Sequence, residues 1–132
     1  MHWLAWDGQV LQATADDSTI ASVKDQVYVA KYLPGMAAAR RAELVVCNGG
    51  RATVYQALET GTPVLGIPMN LDQYLMMDYA RRVGAGELVR AGQATTELIT
   101  RTVRRMVESP EYTTRAAHMR DQIGHYDTGA QF

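Results

Sequence analysis

The chain has 132 residues, a length that fits one domain with a sizeable hydrophobic core. Its net charge is −1, without a long block of lysine or arginine, which argues against nucleic acid or an anionic membrane as a partner. A single cysteine excludes an internal disulfide framework, no apolar run is long enough to span a membrane, and the opening residues lack a secretory signal, so the sequence favours a cytoplasmic location.

The first third of the chain predicts short elements separated by turn residues. Residues 10–15 are compatible with a short strand, and residues 26–33 alternate as a strand that ends at Pro34 and Gly35. An alanine-rich stretch, 36–42, predicts a short helix.

The middle of the chain, residues 44–73, carries the strongest pattern. It predicts a strand, a glycine turn, a helix and a second strand, which together form a βαβ unit. The predicted parts are a strand at 44–47, the turn Asn48-Gly49-Gly50, a helix at 51–60 ended by Gly61, and a strand at 64–69 after Pro63.

This turn has the chemistry of an anion site. Gly49 and Gly50 let the backbone approach a ligand closely, and the start of the helix presents free N–H groups with a partial positive charge. Thr53 can add a hydroxyl, and Arg51 can add a full charge or simply be solvated. The sequence therefore predicts a bound diphosphate here.

The rest of the chain predicts helices joined by short connections. Residues 72–83 form an amphipathic helix, and Asp72 could cap it. A short strand follows at 87–90, then a helix that begins at Thr95 or Thr96 and another that begins at Ser109-Pro110. In the helix at 72–83 we expect Met77 on the exposed side or against a partner, and the predicted buried face is formed by Leu75, Met76, Tyr79, Ala80 and Val83.

Alternating strands and helices predict an α/β fold, a Rossmann-like parallel sheet with helices on both faces. Ligands of such sheets bind beyond the carboxyl ends of the strands. The turns around Pro34, Asn48 and 69–73 all follow predicted strands, so we expect them to line one rim.

The same residues resemble the C-terminal, nucleotide-sugar-binding half of GT-B glycosyltransferases, in the group that uses UDP- or dTDP-sugars. That group has a His-Gly-Gly turn, then Thr or Ser, Glu or Gln with Ala, Gly-x-Pro, a strand that ends in Pro, and Asp-Gln. Here the pattern reads, with the same order and spacing, Asn48-Gly49-Gly50, Thr53, Gln56-Ala57, Gly61-Thr62-Pro63, Pro68 and Asp72-Gln73.

The resemblance implies a role for each matching residue. Asn48, Gly49, Gly50 and Thr53, with Arg51 as a further candidate, would hold the diphosphate. Gln56 would bind the ribose, Tyr32, Leu33 and Pro34 would border the base, and Asp72 and Gln73 would bind hydroxyls of the donor sugar. The substrate would be a nucleotide sugar whose hexose moves to a small-molecule or lipid acceptor, with no metal and no cofactor.

Two residues depart from the usual pattern of this family. Asn48 stands where the family usually has His, and Gln56 replaces the commoner Glu. An Asn can donate a hydrogen bond to phosphate but carries no charge.

Residues 1–132 are expected to be one partial donor-binding domain that lacks its first strand and helix. In this family the general base comes from an N-terminal acceptor domain, so the chain is expected to need that domain or a partner subunit and to be inactive alone. An exposed sheet edge would favour homo-oligomers. Two alternatives stay open: a UDP-sugar 2-epimerase-like domain and a non-catalytic nucleotide-binding module.

Overall fold

The computed structural model describes residues 3–5 and 34–126. The strands predicted at 10–15 and 26–33 lie outside these ranges, as do Tyr32 and Leu33, two of the residues predicted to border the base.

The described residues contain one sheet of four parallel strands. Its order follows the chain, so each strand pairs with the strand that precedes it. Val45 lies opposite Val64, and Val64 lies opposite Gly86. The strands are β1 (Trp3–Ala5), β2 (Leu44–Cys47), β3 (Val64–Gly66) and β4 (Gly86–Leu88). The predicted parallel sheet is thus confirmed.

In the described ranges, helices lie between the strands and after β4. They are α1 (Gly35–Arg41), α2 (Arg51–Glu59), α3 (Leu71–Arg82), α4 (Thr96–Glu108) and α5 (Pro110–His125), with a short 3-10 helix at Ala91–Gln93. The predicted start signals are confirmed for the last two helices. The Thr95 hydroxyl caps α4 by accepting a hydrogen bond from Leu98 N at 3.1 Å, and Pro110 opens α5.

The core has two parts, one on each face of the sheet. Consecutive residues of a strand point to opposite faces, so Val45 joins one cluster and Leu44 joins the other. The first cluster holds buried residues of α1, α2, α3 and α5, and the second holds Met106 of α4. Helices therefore cover both faces, as the sequence predicts.

Two predicted strands have different limits in the structure. The strand predicted at 64–69 ends at Gly66, because Pro68 has no N–H to continue the ladder. The strand predicted at 87–90 runs from Gly86 to Leu88, and the chain enters the 3-10 helix soon afterwards.

The predicted buried face of α3 is confirmed at Ala80, which is fully buried, and wrong at Leu75 and Tyr79. Met77, expected outside, is fully buried, whereas Leu75 and Tyr79 are about half exposed. The cause lies in the sheet below: a Cβ on Gly66 would collide with the Met77 side chain, so the missing side chain is what makes room for this methionine. Met76 packs only partly against the core.

Candidate functional site

The turns after β2 and β3 form one continuous rim at the carboxyl ends of the strands. The Ile67 N–H donates to the Cys47 carbonyl at 2.8 Å, which holds the two chain segments together as they leave the sheet. A Cβ on Gly49 would lie 3.0 Å from the Gln73 carbonyl oxygen, so the glycine turn touches the start of α3. This contact brings together the predicted diphosphate-binding and sugar-binding segments.

Gly49 is the residue on which the shape of the turn depends. Its φ of +88° lies in the left-handed region, where residues with a Cβ are strained. A Cβ would also stand 2.7 Å from Met77 Cγ, so the site has no space for a side chain. Glycine is required here for both reasons.

The side chains of the two residues that precede Gly49 accept hydrogen bonds from the backbone of the turn. The Gly50 N–H donates to Asn48 Oδ1 at 2.8 Å, which leaves the Asn48 amide NH₂ as the group able to donate to a ligand. The Gly49 N–H points to Cys47 Sγ at 3.3 Å. Burial raises the pKa of the Cys47 thiol, so it stays protonated and acts as the small buried residue that the sequence predicts.

Helix α2 begins directly after the turn and supplies donors to the rim. Its N-cap is Gly50, whose carbonyl accepts the Val54 N–H at 3.0 Å. This is the first hydrogen bond of the helix, so the N–H groups of the helical residues before Val54 have no partner within the helix. Thr53 is half-buried in this first turn, and Arg51 is exposed. The arrangement is that of a helix N-terminus able to receive an anion.

The start of α3 is held by a reciprocal pair of hydrogen bonds. Asn70 is the N-cap, and its Oδ1 accepts the Gln73 N–H at 2.9 Å. In return, Gln73 Oε1 accepts the Met69 N–H at 2.8 Å, so its amide NH₂ remains as a donor toward a ligand. The expectation that Asp72 caps this helix is wrong, because Asn70 takes that position; Asp72 is exposed at the rim.

Gln56 lies where α2 meets the start of α1. A Cβ on Gly35 would overlap the Gln56 amide, so this side chain lies directly against the backbone that follows Pro34. The predicted ribose-binding residue is therefore next to the predicted base-bordering turn, of which the structure describes Pro34.

One feature of the rim is missing from the sequence prediction. Arg90 follows β4, and its guanidinium carbon lies 5.4 Å from the centre of the Tyr74 ring, at the start of α3. Such a cation–π contact holds a positive charge beside the rim. The cue in the sequence is an arginine just after a strand, but its pairing with Tyr74 depends on the packing of α3.

The described residues contain no group of three potential metal ligands, and no helix among them is long and apolar enough to cross a membrane. The rim thus offers backbone amides, a hydroxyl, two side-chain amides and a carboxylate. These groups suit a polar, negatively charged ligand with hydroxyl groups at one end.

Known proteins resemble this chain in sequence, and solved structures resemble it in fold. The chain is 43% identical over 115 residues to a "PGL/p-HBAD biosynthesis rhamnosyltransferase" of Mycobacterium bovis, covering 87% of this chain and 26% of the relative. It is 40% identical over 115 residues to a "PGL/p-HBAD biosynthesis glycosyltransferase" of Mycobacterium tuberculosis, covering 87% and 27%. The chain therefore spans about a quarter of the length of these curated relatives.

Among solved structures, the spinosyn rhamnosyltransferase complexed with thymidine diphosphate superposes with a TM-score of 0.76 at 21% identity. The match covers 94% of this chain and 42% of that chain. Residues 4–126 also match the family described as erythromycin biosynthesis protein CIII-like, C-terminal domain. The chain belongs to this family, and its fold is the C-terminal part of a GT-B glycosyltransferase.

Proposed function

We propose that this chain is the donor-binding domain of a glycosyltransferase that transfers a hexose from a nucleoside diphosphate sugar to a small-molecule or lipid acceptor. The contact between Gly49 and the Gln73 carbonyl carries the proposal, because it brings a diphosphate-binding turn and a hydroxyl-binding segment together. In a nucleotide sugar the diphosphate is likewise joined directly to a sugar that carries hydroxyl groups.

In the proposed complex the diphosphate lies over the start of α2. The Asn48 amide NH₂, the backbone amides from Arg51 onward and the Thr53 hydroxyl donate to its oxygens, with the charge of Arg51 nearby. These donors stabilise the negative charge that develops on the leaving diphosphate as the sugar departs.

The two ends of the donor lie on either side of the diphosphate. Gln56 meets the ribose hydroxyls beside Pro34, and the proposed base site includes Tyr32 and Leu33. The Asp72 carboxylate and the Gln73 amide NH₂ bind hydroxyls of the sugar. The base that activates the acceptor is proposed to come from another domain or subunit, so the chain alone binds the donor without transferring its sugar.

Thymidine is the proposed nucleoside and rhamnose the first sugar to test. One relative is named a rhamnosyltransferase, and the structural neighbour is a rhamnosyltransferase with bound thymidine diphosphate. These names also favour transfer over the epimerase alternative.

Titration calorimetry with dTDP, UDP and dTDP-rhamnose tests the proposal. We expect binding of dTDP and, more tightly, of dTDP-rhamnose. Thr53→Val should weaken dTDP binding about 10-fold or more, since a hydrogen bond to a charged group contributes about 1.5–3 kcal/mol. Thr100→Val, at an exposed position of α4, is the matched control.

Absence of nucleotide binding by the folded chain would refute the proposal. Binding of dTDP without any gain from the sugar would instead favour the non-catalytic module. Sugar transfer by the purified chain alone would show that it needs no base from elsewhere.

A further inference from the structure

The outer side of α3 carries an exposed apolar stripe. Leu71, Leu75 and Tyr79 are 70%, 55% and 47% exposed, and they lie four residues apart. This spacing places all of them along one side of the helix. We name these residues the α3 stripe. The opposite side of the helix is occupied by Met77 and Ala80, which are fully buried.

A row of large apolar side chains is unusual on a surface that is exposed to solvent and binds no partner. Single exposed apolar side chains are common, but a contiguous row of large ones marks an interaction surface. Helix α3 packs inward on β3, β4 and α2, so the stripe faces away from the described part of the domain. The described residues leave it uncovered.

The charges at the ends of α3 indicate which molecule fits. Asp72 lies in the first turn, and Arg82 lies in the last turn with its side chain 77% exposed. Arg82 Nε donates to Asp78 Oδ2 at 2.9 Å, and most of the arginine side chain stays exposed. The helix thus has an acidic start and a basic end.

We propose that the α3 stripe is the interface of a homodimer in which α3 packs antiparallel to α3 of a second copy. A two-fold axis near the middle of the helix places Leu75 against Tyr79 of the second copy, and the symmetry repeats the contact. The same axis places Arg82 opposite Asp72 at both ends. Antiparallel packing also opposes the two helix dipoles.

This arrangement leaves the glycine turn of each rim open, and only Asp72 is shared between the proposed sugar site and the interface. The start of α3 belongs to the rim, so antiparallel helices direct the two rims away from each other. Helix α3 has 12 residues and is about 18 Å long, so its contact is smaller than the roughly 1,200–2,000 Å² of a standard interface. We therefore expect a weak dimer that dissociates on dilution.

Sedimentation velocity on the full chain from about 1 to several hundred micromolar tests the association. We expect a shift from monomer to dimer across this range. Leu75→Asp and Arg82→Glu should each weaken the dimer at least 10-fold. Arg101→Glu, an exposed charge reversal on α4, should not. Circular dichroism spectra that match wild type show that each variant is folded, and Arg82→Glu leaves the packed core untouched.

Cross-linking tests the antiparallel geometry. A mixture of Leu75→Cys and Tyr79→Cys chains should form a mixed disulfide readily, while Tyr55→Cys, 48% exposed on α2, should not. A monomer at all concentrations would overturn the proposal. A dimer that Leu75→Asp leaves unchanged would also overturn it and would assign association to another surface, such as the sheet edge. Neither result depends on nucleotide binding.

Discussion

The Met77 side chain lies directly beneath Gly49, with its Cγ 2.7 Å from the position that a Cβ on this glycine would take. The same side chain occupies the space above Gly66, and its Cε would lie 3.5 Å from a Cβ on Gly86. One fully buried methionine thus joins β3, β4 and the turn that follows β2. The shape of the predicted diphosphate site depends on a core residue with no ligand contact of its own.

Gly66→Ala is expected to destabilise the chain. The added methyl must displace Met77, which is fully buried and has little space to move, so we expect a loss of about 1–3 kcal/mol in the free energy of unfolding. Chemical denaturation measures this loss. Gly92→Ala is the matched control, because a Cβ there meets nothing within 4 Å.

A double-mutant cycle assigns this loss to its cause. If Met77 is the obstacle, Gly66→Ala combined with Met77→Ala should cost less than the sum of the two single changes. Strictly additive losses would show that the added methyl collides with another group.

The sequence predicts the middle of the fold well because local signals agree there. The β2 strand, the Gly49 turn and α2 follow one another without long-range help, and each has its own cue in residue type. The rim could also be predicted, since parallel strands place their carboxyl ends at one edge.

The face of α3 could not be predicted from its own pattern. Periodicity treats Met76 and Met77 as nearly equivalent, and the choice between them depends on the space above Gly66, a residue of a different element. The cap at Asn70 and the contact between Arg90 and Tyr74 were missed for a related reason. Both depend on how the start of α3 packs at the rim.

Asn48→Asp is expected to weaken dTDP binding while it preserves the turn. In the wild type the Gly50 N–H donates to Asn48 Oδ1 at 2.8 Å. A carboxylate can still accept this hydrogen bond, so the thermal stability should change little. It replaces the NH₂ donor by a negative oxygen that repels phosphate, so we expect a loss of affinity of at least 10-fold in calorimetry. Asn48→His supplies a donor that can also carry a positive charge, so we expect it to bind dTDP more tightly than wild type. Equal affinity in all three chains would place the diphosphate elsewhere.

Gln73→Glu should separate the structural and ligand-binding roles of this side chain. In the wild type the Met69 N–H donates to Gln73 Oε1 at 2.8 Å. Glutamate keeps this acceptor oxygen but loses the NH₂ donor. We expect unchanged stability, unchanged dTDP affinity and weaker binding of dTDP-rhamnose. Gln73→Ala should also lose about 1 kcal/mol of stability, because the reciprocal cap is broken. A parallel fall in dTDP and dTDP-rhamnose affinity for Gln73→Glu would contradict the assignment to the sugar.

Tyr112 is expected to make the stability of the chain depend on alkaline pH. Burial raises the pKa of its hydroxyl, and the hydrogen bond that it donates to Glu87 Oε1 at 2.6 Å raises it further. Between the unfolded value of about 10 and the higher folded value, the unfolded chain has lost this proton while the folded chain keeps it. The contribution of Tyr112 is therefore complete below pH 10 and declines as the pH rises through the folded pKa.

Tyr112→Phe tests this dependence. At pH 7 the variant should lose about 1 kcal/mol in the free energy of unfolding, because its hydrogen bond to Glu87 is gone. The difference from wild type should shrink as the pH rises above 10, since the wild type loses stability there that the variant never had. Tyr126→Phe, at a residue 73% exposed, is the control and should follow the wild-type profile. A constant difference between Tyr112→Phe and wild type across this range would mean that Tyr112 ionises equally in the folded and unfolded chains.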